Sequence, residues 1–100
     1  VTSIRGESNI ILPNSYSLFQ NCPNPFNPAT VINYQLPVSN YVTLKVYDIL
    51  GREVAMLVNE KKGAGRYSVQ WEASARASGV YFYTLQAGEY RDTKRMLLLK

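Results

Sequence analysis

From residue 31 onward, apolar and polar residues alternate with a period of two over most of the chain. Val31–Leu36 sets Ile32, Tyr34 and Leu36 on one face and Asn33 and Gln35 on the other, and Pro37 ends the run. Tyr41–Asp48 is the clearest strand, with Val42, Leu44 and Val46 pointing one way and Thr43, Lys45 and Tyr47 the other. Leu50-Gly51 then turns the chain, and Glu53–Val58 returns as a hairpin partner. Gly63-Ala64-Gly65 is a second turn. Arg66–Glu72 alternates again, with Tyr67, Val69 and Trp71 inward and Ser68 and Gln70 outward. After Ser78-Gly79 comes a dense strand, Val80–Gln86. Ala87-Gly88-Glu89 turns tightly into the last strand, Tyr90–Leu99.

The first part of the chain reads differently. Residues 1–14 carry no sustained period and end in Pro13-Asn14, which predicts a linker or an extended approach strand, although Ile10, Ile11 and Leu12 could dock on the domain. Ser15–Gln20 alternates weakly, with Tyr16, Leu18 and Gln20 opposed to Phe19. Pro23, Pro25 and Pro28 follow within six residues. Each lacks an N–H and biases the residue before it toward extended geometry, so neither a helix nor a central strand survives there. Phe26, an apolar ring in a stiff loop, is the expected anchor to the core. Counting Ser15–Gln20, about seven short strands separated by turn signals predict an all-β, antiparallel β-sandwich over residues 15–100. The only candidate helical turn, Ala73–Ala77, is too short to stand alone.

One hundred residues suit a single core, and a 46% hydrophobic and 18% charged composition excludes a mainly disordered chain. No apolar run approaches the length needed to span a bilayer as a helix. The chain opens on Val1 with no signal peptide, and it reads as a piece of a longer protein, from its end. It has no histidine, which removes the commonest general base and zinc ligand. One cysteine allows no internal disulfide, and the seven carboxylates show no acid/base spacing. The expectation is a non-enzyme with no cofactor, no metal and no small-molecule substrate. The net charge of +4 is spread along the chain rather than gathered in a stripe, so nucleic acid is not an expected partner.

Individual residues sharpen this. Trp71 shares parity with Tyr67 and Val69, which predicts a buried pair packing across the sandwich rather than a sugar-stacking platform. Tyr41, Tyr47 and Tyr90 fall on expected outer faces or strand ends and could form a carbohydrate-binding strip. Cys22 reads as a small apolar filler, and Asn21, Asn24 and Asn27 as turn formers rather than calcium ligands.

Gln20-Asn-Cys-Pro-Asn-Pro-Phe-Asn-Pro-Ala-Thr30 resembles the opening block of the C-terminal sorting domain of type IX secretion. Val42–Glu53 (VTLKVYDILGRE), Gly79-Val-Tyr-Phe-Tyr83 and Met96-Leu-Leu-Leu-Lys100 follow that family in order and spacing, so the resemblance covers residues 15–100. Cys22 stands where relatives usually carry tyrosine. The resemblance implies an Ig-like β-sandwich that directs a fused N-terminal cargo protein through an outer-membrane translocon. It also implies removal by a sortase-like protease cutting upstream of the folded part, within residues 1–14. Transit through the periplasm and arrival at the cell surface or outside the cell follow from the same likeness. The family's recurrent elements fall here on Pro23, Asn24, Pro25, Phe26, Gly79, Tyr81 and Lys100, which are the expected recognition residues. Lys94, Arg95 and Lys100 would then make a basic, reachable handle. The sandwich also resembles the Ig-like domain of flagellar hook-capping proteins. A carbohydrate-binding or hook-capping-like module of an extracellular protein is the alternative, and a sugar binder would need coplanar exposed aromatics.

Overall fold

A computed structural model describes residues 11–100. The seven strands are β1 (Ser17–Leu18), β2 (Ala29–Leu36), β3 (Asn40–Tyr47), β4 (Glu53–Lys62), β5 (Gly65–Glu72), β6 (Gly79–Ala87) and β7 (Tyr90–Leu98). All neighbouring strands pair antiparallel, in a three-stranded sheet of order β1-β2-β5 and a four-stranded sheet of order β4-β3-β6-β7. The expected all-β sandwich is what the chain forms. Residues 1–10, most of the expected linker and including Ile10, lie outside the described residues; Ile11 and Leu12 are exposed and Pro13 is buried.

The alternation of the sequence becomes the core. Ile32, Tyr34 and Leu36 of β2 face Val42, Leu44 and Val46 of β3 and Tyr83, Leu85, Met96 and Leu98 of β6 and β7, and all are buried. Trp71 retains only 5% of its exposure and crosses between the sheets. Its ring meets that of Tyr81 edge-on, with centroids 5.4 Å apart, and that of Phe26 at 5.8 Å. Tyr67 is a correction: it is half-buried, and it stacks on Tyr34 of its own sheet at 5.3 Å. The reason is position. β5 is the edge of the smaller sheet, so its inward residues toward the Gly65 end border the open flank rather than the interior.

β4 departs most from its sequence signal. It runs on to Lys62, four residues past the expected end. Asn59–Lys62 pairs with the start of β3 but overhangs the core, so those positions needed no apolar alternation. Leu57 and Val54 are extra residues at two bulges opposite β3, and each bulge shifts the parity of the strand. The bulges also blunt this edge against pairing with another chain.

Replacing Trp71 by alanine should lower stability by about 3–5 kcal/mol, measured by denaturant unfolding. Burial pushes the phenols of Tyr34 and Tyr83 up to about 12. An unfolded tyrosine ionises near about 10, so the folded state holds these protons more tightly than the unfolded one. Their stabilising effect is complete below about pH 10 and is lost as pH rises toward 12. A melting series across that interval should show the fall, and Tyr34→Phe should flatten it.

Candidate functional site

The Pro-rich segment is a strand that changes sheets. At first it follows β2: the Phe19 N–H donates to Asn33 O, and Cys22 and Val31 exchange two backbone hydrogen bonds, all 3.0 Å. It then crosses to the free edge of β7 and pairs with it in parallel at Phe26 and Leu98. Four bonds make the crossing. Gln20 Nε2 donates to Arg95 O at 2.7 Å, and the Leu97 N–H donates to Asn24 Oδ1 at 3.0 Å. The Phe26 N–H donates to Leu97 O, and the Leu99 N–H to Phe26 O, both at 3.0 Å. Pro23 and Pro25 flank Asn24 on the exposed side, where a backbone N–H would have no strand to pair with. Asn24 therefore works through its side chain, standing in for a backbone acceptor.

Beneath the loop lies a buried polar network. The Tyr83 hydroxyl accepts from the Asn21 N–H at 2.8 Å and donates to Phe19 O at 2.7 Å. Thr30 Oγ1 donates to Pro23 O at 2.8 Å, and Asn21 Nδ2 donates to Thr30 Oγ1 at 3.0 Å. Asn21 and Thr30 are buried, so each bond also avoids leaving a desolvated polar atom unpaired. Phe26 is buried against Trp71, the expected anchor. Cys22 is exposed rather than a filler, because its backbone lies in the ladder and its side chain points away from it.

Gly79, Tyr81 and Lys100 converge on the adjoining loop, residues 73–78. The Tyr81 hydroxyl donates to Ala77 O at 2.7 Å. Lys100 Nζ donates to Ser74 O at 2.6 Å and Arg76 O at 2.9 Å, and the Lys100 N–H donates to Ser78 Oγ at 2.9 Å. The ammonium expected as a free handle is thus committed to holding this loop. Glu72 helps from the other side: the Ser74 hydroxyl and N–H both donate to it, which holds its carboxyl below the usual range. Gly79 has a φ of +151°, a backbone conformation in which a side chain is strained even though open space surrounds the site.

The β3–β4 turn completes this pole of the sandwich. The Asp48 carboxylate accepts from the N–H groups of Leu50 and Arg52 and from Arg52 Nε at 2.9, 3.0 and 2.8 Å. The backbone bond from Arg52 is the main reason its carboxyl sits below the ordinary range, with the Arg52 side chain adding to it. The tightly tied turn lifts Ile49 and Leu50 into solvent, 69% and 74% exposed. A groove of about 380 Å³ separates them from the 75–80 segment, and its walls include Arg52, Val54, Arg76 and Val80. On the other side of Ile49 lies a second groove of about 270 Å³, floored by Phe82, Tyr47 and Thr84 and closed by Arg91.

A family model described as the secretion system C-terminal sorting domain matches residues 22–99. The chain belongs to this family. It is the sorting domain of type IX secretion, an export signal for the cell surface or extracellular space, and such a domain is not itself catalytic. Two solved structures share the fold. One is dimeric latent PorU from Porphyromonas gingivalis, with 17% identity and a TM-score of 0.62, covering 89% of this chain. The other is PorZ from the same organism, an essential bacterial surface component of the type-IX secretion system, with 18% identity and a TM-score of 0.55, covering 85% of this chain. The match takes up only 10% and 11% of those two chains. No curated protein sequence matches the chain.

In the sorting domain the seven expected residues form two groups joined through aromatic contact. Pro23, Asn24, Pro25 and Phe26 dress the β7 edge; Gly79, Tyr81 and Lys100 shape the 73–78 loop; Trp71 touches both Phe26 and Tyr81. The outward apolar residues Val80 and Phe82 were not singled out by sequence reasoning. Their signal is the strand Val80–Thr84, which has no polar alternation and so carries apolar groups on both faces. The tyrosine strip does not form: Tyr90 stacks on Tyr16 at 4.9 Å, and Tyr41 and Tyr47 stand at opposite ends of β3.

Gly79→Ala should cost about 1–3 kcal/mol through backbone strain alone, a value that chemical denaturation can measure. Lys100→Met should speed amide hydrogen exchange in residues 74–78 while leaving β2 and β3 protected, and Lys100→Arg should restore most of the protection, since a guanidinium can also donate to two carbonyls.

Proposed function

We propose that residues 15–100 are read, folded, as the export signal of a cargo protein fused before them, with residues 1–14 as the linker. The outer-membrane translocon of type IX secretion receives the domain from the periplasm. A sortase-like protease then cuts within the linker, and the cargo is released or attached at the surface. The domain contributes no chemistry of its own and needs no cofactor, nucleic acid or small-molecule substrate. The observation that carries this reading is the convergence of the family's separate sequence blocks on one pole. The Pro-Asn-Pro-Phe segment, the Gly-x-Tyr strand and Lys100 come together there through named bonds, and the YDILGRE turn, tied by its own Asp48, faces the 75–80 segment across a groove. Recognition by Pro23, Asn24, Pro25, Phe26, Gly79, Tyr81 and Lys100 is on this account recognition of a shape they jointly maintain. A prestructured surface loses little conformational entropy on docking, which suits a signal that must be read quickly and released.

The test is fusion of residues 1–100 to a periplasmic reporter in a host with this secretion route. The reporter should appear outside the cell, with a processed end inside residues 1–14. Retention of the wild-type fusion in the periplasm overturns the proposal. Asn24→Ala should lower export together with thermal stability, because the Leu97 N–H loses its acceptor; a loss of about 0.5–1.5 kcal/mol is expected.

A further inference from the structure

Apolar groups at the Lys100 pole extend onto the outer face of the four-stranded sheet. Tyr47, Phe82 and Arg95 are directly opposite one another across β3, β6 and β7, and Val80 is opposite Leu97. Directly opposed residues share a face. Phe82 therefore sits in the middle of an outward row, with Ile49 overhanging it from the turn. All of these are exposed or half-buried in a small domain whose core is already filled.

Around this apolar centre the rim is cationic. Arg52, Arg76, Arg91 and Arg95 are all exposed. Among the described residues, Arg76, Arg91 and Arg95 make no ion pair. The carboxylates of the same pole are engaged: Asp48 accepts from its own turn, Glu72 from Ser74, and Glu53, opposite Tyr47 in the outward row, pairs with Lys45 at 3.6 Å. The rim thus presents positive charge with its local acids already occupied.

We infer that this surface docks an acidic, apolar-bearing segment of a polypeptide in the export machinery, placing an aliphatic or aromatic side chain on either side of Ile49 and carboxylates on Arg76, Arg91 and Arg95. The inference rests on the sorting reading and names the chemistry of the partner. The rim is all arginine, whose planar fork matches carboxylates in pairs. Two grooves of side-chain size divided by one residue suit a sequence of side chains rather than a lipid bilayer surface. A second copy of this chain is a poor occupant, because it would bring the same arginine rim against itself. Lys100 enters as a positioning residue: its ammonium fixes the carbonyls of Ser74 and Arg76, and so the wall of the groove.

The test uses the full-length fusion during export. A photoreactive benzoylphenylalanine replaces Phe82, and in a control replaces Tyr41, which is 55% exposed toward the opposite end of β3. Irradiation should give a polypeptide adduct at position 82 and not at 41, and the attached peptide should carry aspartate or glutamate beside apolar residues. In parallel, combined Arg76→Glu, Arg91→Glu and Arg95→Glu should lower the exported fraction about tenfold or more at an unchanged melting temperature. Should that variant melt early, the corresponding arginine-to-glutamine variant replaces it, with a smaller loss expected. The inference is overturned if position 82 gives no adduct, only lipid adducts or an adduct lacking acidic residues. Equal labelling at position 41, or wild-type export of a folded charge variant, overturns it as well. Failure of the wild-type fusion to leave the periplasm instead removes the sorting reading beneath it.

Discussion

The Pro-rich segment and the 73–78 loop at the Lys100 pole depend on one piece of backbone pairing, the parallel contact of Phe26 with Leu97, Leu98 and Leu99. A sandwich strand at a sheet edge has a row of unpaired donors and acceptors, which is both an energetic cost and an aggregation risk. Here the outward groups of Arg95, Leu97 and Leu99 are taken up by Gln20, Asn24 and Phe26. Because the same segment also pairs with β2, it sews one sheet to the other. The contact seats Phe26 on Trp71, and Trp71 on Tyr81, so pairing and burial reinforce each other.

Lys100 and Gly79 extend that logic to the loop. Beyond Ala73, which is buried in the core, residues 74–78 are exposed, and the bonds that define the loop come from Tyr81, Lys100, Glu72 and Pro28. The groove wall is therefore only as well defined as the end of β7, which the Pro-rich segment holds in place. On the proposed reading, recognition and stability share the same bonds at this pole, and a substitution there changes both unless it alters only an outward side chain such as Phe82 or Arg91.

Much of the fold was legible because the physics that places a strand is local. Ile32-x-Tyr34-x-Leu36 and Val42-x-Leu44-x-Val46 bury every second residue, and nothing distant can change that parity. The tail of β4 was not legible because its partner strand, rather than a core contact, keeps it extended, and its two bulges erase the period. Tyr67 was misplaced because inward parity does not reveal whether a strand lies at a sheet edge. The site residues were named from a family resemblance, and their grouping needed the tertiary structure: no local rule links Asn24 to Leu97 or Lys100 to Ser74. Phe82 could have been found, since a central strand apolar on both faces must leave one face without a partner in a two-layer fold.

The bonds that join residues 20–26 to residues 95–99 span 71 to 75 positions of sequence. Such a closure forms only after nearly all of the domain has been synthesised. A shorter product that lacks β7 would leave Phe26, Trp71 and Tyr81 without their cover and the 73–78 loop without its ties. The sorting domain thereby reports on its own synthesis: the shape proposed as the export signal exists only in a chain that has been translated through its last strand.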